Sequence, residues 1–244
     1  MGNEPLRKKD MYVSINLIDV VEMEQKLEIE PSEELAYWVG VLQSDGCLTT
    51  RNYRDRKSQK IVKVEVAPKS LEMVKKFSQL SELLFTRKAK IFKLSSGKFK
   101  FSIGASQLIE IFEKLDIDAK DPPRPPFWVL DNYPKFGAYL AGLIDGDGDI
   151  RIKRPEYPQC ALRITSGGVQ TSLKKAIKEL LKCGVSITYR SGTSMLDGRK
   201  IEGKWYDLEF VVSRKTRDFL EKFVLPKMTI KHKVQKLSEF LSNN

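Results

Sequence analysis

The sequence predicts an α+β protein made of two copies of one unit, each read as αββαββα with antiparallel strand pairs. Three observations predict it. A segment of fourteen residues, LAYWVGVLQSDGCL at 35–48, recurs as GAYLAGLIDGDGDI at 137–150, with Ala36/Ala138, Tyr37/Tyr139, Gly40/Gly142, Asp45/Asp147 and Gly46/Gly148 identical at a constant offset of 102. Helical and strand patterns alternate in the same order after each copy, and self-similarity at one large offset marks a duplicated domain. A proline-rich stretch separates the copies. The chain of 244 residues then divides into an N-terminal extension (1–30), a first repeat (31–117), a connector (118–133) and a second repeat (134–244).

The elements follow in order. Each recurring segment is apolar and helical, running up to an Asp-Gly pair that reads as a left-handed glycine stop. After the first copy, Lys60–Val66, Lys90–Leu94 and Lys98–Ile103 alternate apolar with polar, mostly basic residues, as half-buried strands do. Helical patterns lie between and after them, at Ser70–Leu84 and Ser106–Leu115. Four prolines at 122, 123, 125 and 126 make the connector stiff and extended. After the second copy, strands fit at Asp149–Lys153, Ala161–Thr165, Val185–Arg190 and Trp205–Val212, and helices at Ser172–Lys182, Thr216–Phe223 and Lys231–Leu241.

Composition narrows the function. Hydrophobic residues are 41% and charged residues 31%, the balance of a folded soluble chain. The longest apolar run, Phe136–Ile144, is nine residues, too short to cross a bilayer, and MGNEPLRKKD at the start has no apolar run behind it, so no secretory signal is expected. Three scattered cysteines and a single histidine, His232, exclude a structural zinc site and argue for a reduced, intracellular protein, cytoplasmic in a bacterium or archaeon. With one histidine in a lysine run, Ser-His-Asp and Cys-His catalysis are poor fits, which leaves carboxylates, lysines and metal. The net charge is +11, yet residues 1–30 hold four Lys/Arg against seven Asp/Glu, so the remainder carries 39 against 25. A folded basic body suits a polyanionic partner, most often nucleic acid.

The repeated segment has a physical reading of its own. Ala36, Gly40 and Ser44, and likewise Ala138, Gly142 and Gly146, recur every fourth residue and share one helix face. Glycine inside a helix costs up to ~1 kcal/mol relative to alanine, so a small-residue stripe needs close backbone contact to justify it. Two such helices packed in parallel would bring Asp45 and Asp147 together at their C-terminal ends. Free carbonyls and partial negative charge collect there, and carboxylates held close together call for a cation such as Mg²⁺.

LAGLIDGDG, residues 140–148, resembles the motif of the LAGLIDADG homing endonucleases with one substitution, and WVGVLQSDG, residues 38–46, resembles a degenerate first copy. The resemblance spans roughly residues 33–241 and is nearest to monomeric two-repeat members, including archaeal intron-encoded ones; scarce Asn and Gln beside abundant charge fit a thermophilic source. It implies two sheets forming a saddle on the DNA major groove. It further implies a metal-dependent double-strand break in a long asymmetric site, with short 3′ overhangs, by an intron-encoded enzyme. The implied metal ligands are Asp45 and Asp147, with carbonyls of Ser44 and Gly146. Mg²⁺ is the implied ion; Mn²⁺ or Ca²⁺ could take the site, Ca²⁺ without cleavage. Basic residues near the metal map onto Lys69 in KVEVAPKSLEMVKKF (63–77), Lys231 in LPKMTIKHKVQKL (225–237) and Lys120 in LDIDAKDPP (115–123). Two departures stand out. Gln43 replaces the acid found at Asp145, a position that is not usually a ligand, and the second-repeat counterpart of the Pro68–Lys69 turn, SGGV at 166–169, lacks a lysine.

A saddle would present alternate strand residues to DNA. In the first repeat these are Arg51, Arg54, Arg56, Lys57, Gln59, Lys63, Glu65, Lys98 and Lys100; in the second, Arg151, Lys153, Arg163, Thr165, Arg190, Arg199 and Lys204. Arginine suits guanine, glutamine adenine and glutamate cytosine, while most lysines only position phosphates. The expected partner is a double-stranded DNA site of about 20 bp, bound by a monomer whose two repeats supply the twofold. A rival reading remains open: an RNA maturase acting on intron RNA, or a non-cutting DNA-binding protein on the same fold.

Overall fold

The computed structural model describes residues 28–52, 57–120, 122–154, 158–196 and 199–243, so the candidate DNA contacts Arg54 and Arg56 and nearly all of the N-terminal extension lie outside the described residues. The first repeat runs α1 (Glu33–Gln43), β1 (Gly46–Arg51), β2 (Gln59–Val66), α2 (Leu71–Phe85), β3 (Phe92–Lys93), β4 (Phe99–Gly104) and α3 (Ser106–Lys114). The second runs α4 (Tyr133–Asp145), β5 (Gly148–Lys153), β6 (Gln159–Ser166), α5 (Thr171–Leu181), β7 (Val185–Leu196), β8 (Arg199–Val211) and α6 (Arg214–Phe219), followed by short π and 3-10 turns and α7 (Lys231–Asn243). The expected order holds in both halves. Both sheets are antiparallel and share one topology, β1-β2-β4-β3 and β5-β6-β8-β7. The β3–β4 hairpin turns at Gly97, whose φ of 79° a residue with a Cβ rarely adopts.

Each sheet is apolar on one face only. Val62, Val64, Val66, Phe101 and Ile103 turn inward from the first, Ile150, Leu162, Ile164, Leu208 and Phe210 from the second, and helices cover them. The opposite faces carry the polar members of each alternation. Trp38 anchors the first core, stacked 4.8 Å from Phe77, with its indole N–H donating to the Ser81 hydroxyl at 2.8 Å. No helix among the described residues is long and apolar enough to cross a membrane.

The motif helices α1 and α4 pack against each other as the small-residue stripes require. Both start at a side-chain cap: the Ser32 hydroxyl accepts from the Leu35 amide at 3.1 Å, and Asn132 Oδ1 from the Lys135 amide at 3.0 Å. They cross at Gly40 and Gly142. A Cβ on Gly40 would lie 2.3 Å from the Tyr139 carbonyl oxygen, and one on Gly142 would lie 2.4 Å from that of Tyr37. Backbone on both sides cannot yield, so glycine is obligatory at each.

Two expectations need correction. Gly46 and Gly148 are not left-handed stops; among the described residues the only glycine with positive φ is Gly97. They are glycines because β1 and β5 leave in contact with the helix just ended: a Cβ would meet the Leu42 carbonyl oxygen at 2.6 Å or Ile144 Cα at 2.4 Å. Nor is the connector a bare spacer. Trp128 and Val129 are buried, the Trp128 indole donates to the Leu115 carbonyl at 2.8 Å, and Pro123, Pro125 and Pro126 are buried too.

Candidate active site and nucleic-acid interface

The ends of α1 and α4 meet at Ser44 and Gly146, where a Cβ on Gly146 would come within 2.1 Å of Ser44 Oγ and 3.4 Å of the Asp45 amide. Asp45 and Asp147 follow these residues and are therefore brought to one place between the two sheets. Asp45 is half-buried and Asp147 exposed, with the Asp147 carbonyl accepting from the Thr165 amide at 3.3 Å. Burial pushes the Asp45 carboxyl up from its ordinary value, and nearby Lys233 pulls it back.

Lys233 is the residue that the sequence reading missed. Its ammonium donates to the carbonyls of Ile144, Asp145 and Gly146 at 2.7, 2.9 and 3.1 Å, capping the C-terminus of α4. Burial pushes its pKa down, while the negative charges of Asp145, Asp45, Asp147 and Asp149 push it up. Lys231, expected in this role, is instead the exposed first residue of α7, lining a recess of about 360 Å³ with Lys75, Lys76 and Thr229. At ~100° per residue the two lysines point about 200° apart on the helix, so only one can face α4. A signal for Lys233 was present. It sits in the inward stripe of Ile230, Leu237 and Leu241, where a lysine needs a buried partner. Lys69 lies on the exposed turn before α2, near enough to His232 to lower its pKa after the larger effects of burial and Lys233. Lys120 is exposed in the connector, and no described side-chain contact ties it to the motif ends.

Asp145 and Gln43 are the two symmetry-related residues just inside the helix ends, and neither faces the centre. The fully buried Asp145 carboxylate accepts from Tyr37 Oη at 2.7 Å, the Thr229 amide at 2.7 Å, Thr229 Oγ1 at 2.8 Å and the Ile230 amide at 3.1 Å. Every partner is a donor. Gln43 accepts from Tyr139 Oη at 2.6 Å and the Arg124 amide at 3.1 Å, but its Nε2 donates to the carbonyls of Asp118 at 2.6 Å and Arg124 at 3.0 Å. Only an amide meets that mixture, which explains why the first copy lacks the acid. Each latch crosses to the other motif helix through a tyrosine and ties the chain that enters or leaves its repeat.

No group of three or more His, Cys, Asp and Glu side chains able to hold a metal occurs among the described residues. The centre offers two carboxylates and helix-end carbonyls instead, a hard oxygen set suited to Mg²⁺ or Mn²⁺. The Lys233 ammonium already occupies the carbonyls of Ile144, Asp145 and Gly146, which leaves the two carboxylates as the groups that fit a divalent ion.

The polar sheet faces carry the expected nucleic-acid residues, and strand register sorts them. On the first, Arg51, Gln59, Lys63, Glu65 and Lys100 share the outward parity; Lys98 precedes β4 and Lys57 precedes β2, both exposed. Glu65 pairs with Lys63 at 3.0 Å and Lys98 at 3.9 Å, and the bond from Lys63 holds its carboxyl below the usual range. On the second, Arg151, Lys153, Arg163, Thr165 and Arg190 face outward together with three acids that a count of basic residues overlooked, Asp149, Asp207 and Glu209. Arg199 lies on β8 opposite Leu196, and its side chain is outside the described residues. Lys204 does not belong to this face. It has the parity of inward Leu208 and Phe210, because successive strand residues alternate sides.

A scan against protein-family models gives no match. A search of curated proteins gives none. Solved structures do match, with probability 1.00. The I-LtrWI LAGLIDADG homing endonuclease bound to target DNA superposes with a TM-score of 0.54 at 14% identity, covering 86% of this chain and 91% of that one. I-DmoI in complex with DNA and Mn gives 0.53 at 19% identity, over 80% of this chain and 98% of that one. A lysine-to-alanine variant of I-SmaMI gives 0.52 at 16%, over 85% and 90%. The architecture is therefore the LAGLIDADG homing endonuclease fold, in its two-repeat, single-chain form.

Proposed function

We propose that the chain is a site-specific homing endonuclease that breaks both strands of a double-stranded DNA site. The carrying observation is the convergence of Asp45 and Asp147 at paired helix ends, between two polar sheet faces and beneath the Lys233 ammonium. The solved relatives bound to DNA, with Mn or Mg, support the choice of partner and cofactor. The site is asymmetric, about 20 bp long, and cleavage leaves short 3′ overhangs; an intron origin suits this class.

Asp45 and Asp147 would hold the divalent ions, since the Gly146 carbonyl expected beside them is taken by the Lys233 ammonium. Mg²⁺ bound there supplies Lewis-acid charge stabilisation at phosphate and a more acidic water. The remaining work falls to the chain. The sheets bind and orient the duplex. Burial leaves Asp45 poorly solvated, so its charge is best balanced by a cation. Lys233, its three donors held by the end of α4, keeps a fixed positive charge near the place where negative charge grows on the phosphate. The Asp145 latch fixes the Thr229–Ile230 turn and so aims Lys233.

The test is cleavage of a randomised duplex pool in Mg²⁺ by wild type, Asp45→Asn and Asp147→Asn. Cut products with short 3′ overhangs from wild type alone support the reading. Binding without cutting in either Mg²⁺ or Mn²⁺ overturns it and leaves the non-cutting reading.

A further inference from the structure

The two sheets are built alike but wired differently. Register defines the equivalent positions. In the first sheet Cys47 pairs with Lys63, and Glu65 with Lys100; in the second Asp149 pairs with Arg163, and Thr165 with Asp207. Lysine thus becomes arginine at one place, and lysine becomes aspartate at another. The Asp207 side chain is only 3% exposed, yet it faces the polar side and collects three partners: Thr165 Oγ1 at 2.7 Å, Arg190 at 2.6 Å and Arg163 at 3.2 Å. Arg163 is also held by Asp149 at 3.0 Å. Arg163 Nε is buried and has no hydrogen-bond partner. The Arg163 guanidinium is therefore clamped from two sides, with Nη1 on Asp207 and Nη2 on Asp149, and the second hydrogen of each is left over. The first sheet offers Lys63, Lys98 and Lys100 around Glu65, ammonium groups on flexible stems.

These two arrangements suit different tasks. A planar guanidinium in a fixed pose matches the paired O6 and N7 acceptors of guanine and rejects other bases. A lysine is a mobile point charge that tolerates many phosphate positions. Fixing the arginine beforehand also removes the entropy cost of ordering it on binding.

We propose that Asp207 sets the base preference of the half-site read by the second sheet, by holding Arg163 and Arg190 as guanine-reading forks. The proposal rests on the endonuclease reading for the presence of DNA on this face. Asp207 is a positioning residue, not a DNA contact.

The experiment is selection of the full chain on a randomised duplex pool in Ca²⁺, followed by binding to single-base variants of the selected site, for wild type, Asp207→Asn, Arg163→Lys and Arg190→Lys. Wild type should prefer guanine at two positions of one half-site, each by roughly 10- to 100-fold. Asp207→Asn should flatten both preferences below about threefold, while preferences in the other half-site and binding to unselected duplex persist. A merely structural role would weaken all positions together. Each arginine-to-lysine variant should flatten one position, and these two keep the idea testable if Asp207→Asn does not fold. Loss of all preferences together, or guanine preferences that survive Asp207→Asn or both lysine variants, would overturn the proposal. Because the readout is binding, a wild type that selects these guanines but never cuts in Mg²⁺ leaves this inference standing and removes the endonuclease reading instead.

Discussion

Asp145→Asn puts the latch to a severe test, because the change is isosteric and removes only charge and one acceptor. With its oxygen turned to the Oδ2 position, the amide keeps Tyr37, Thr229 N and Thr229 Oγ1, but its NH₂ then faces the Ile230 amide, 3.1 Å away. Turned the other way, it loses three donors instead of one. The better pose sets the Asn NH₂ against the Ile230 N–H with no acceptor for either, at about 1–3 kcal/mol, and converts three charge-assisted bonds to neutral ones at several tenths to 1 kcal/mol each. Partial relaxation brings the expected loss to ~3–4 kcal/mol, roughly 10 °C in Tm for a chain of this size. Gln43→Glu should cost a similar amount for the opposite reason, since a carboxylate oxygen would then oppose the carbonyls of Asp118 and Arg124. Urea melts at neutral pH measure both. Mn²⁺ affinity of Asp145→Asn should stay within about threefold of wild type, because the residue holds a turn and not the ion, whereas cleavage should fall as Lys233 loses its aim. If both variants melt within about 0.5 kcal/mol of wild type, matching of donors to acceptors is not what decides acid or amide at these positions.

Three further outcomes follow from the same structure. Gly40→Ala or Gly142→Ala should destabilise by about 3 kcal/mol or more in chemical denaturation, since the added methyl meets backbone oxygen at 2.3–2.4 Å and overpacking with no yielding side chain lies at the costly end of the range. Lys76 lies over the Tyr37 ring at 3.6 Å, and burial lowers its pKa to about 8 from 10.5; the unfolded chain then binds more protons between these values, so stability should rise with pH across that window. Lys76→Met should flatten that rise and stabilise the protein below pH 8 by about 1 kcal/mol, after discounting for solvent screening of a half-buried amine. Burial raises the Asp45 carboxyl pKa, so stability is lost as pH rises from the ordinary carboxylate value through the raised one; metal-free Asp45→Asn should therefore melt higher than wild type at neutral pH, and a Tm gain expected of wild type in Mg²⁺ should be absent in the variant.

What could be read from sequence was what local periodicity encodes. The four-residue spacing of Gly40 and Gly142 announced close helix contact, and that contact placed Asp45 and Asp147 without further information. Alternation in Lys60–Val66 and Lys98–Ile103 gave two strands and their faces. The reading failed where position depends on distant chain. Lys233 reaches α4 because Asp145 grips Thr229 and Ile230 across more than eighty residues, and three nearby lysines looked equivalent in sequence. Charge alone does not place Lys204; its parity with Leu208 and Phe210 along β8 puts it on the opposite side from the basic face. Asp149, Asp207 and Glu209 were passed over because an excess of positive charge directs attention to cations. The acids that orient those cations sit in the same alternation and were visible in it.

The duplication itself explains which positions stayed alike. At the α1–α4 crossing each residue touches its own counterpart or the backbone beside it, so Gly40 and Gly142 constrain one another and a change in either must be accommodated by both helices. The latches are a degree freer. Both keep the tyrosine that crosses between helices, but Asp145 and Gln43 answer to different turns, and there acid and amide have parted. The sheet faces are freest, because Lys63 pairs within its own sheet and Arg163 within the other. Across the equivalent pairs Cys47/Asp149, Lys63/Arg163, Glu65/Thr165 and Lys100/Asp207 the formal charge passes from one positive in the first repeat to one negative in the second. On the endonuclease reading proposed above, a shared centre flanked by unlike faces suits two-strand chemistry on an asymmetric duplex: the helix ends present matched acids to both strands, while the two half-sites need not be read by the same residues.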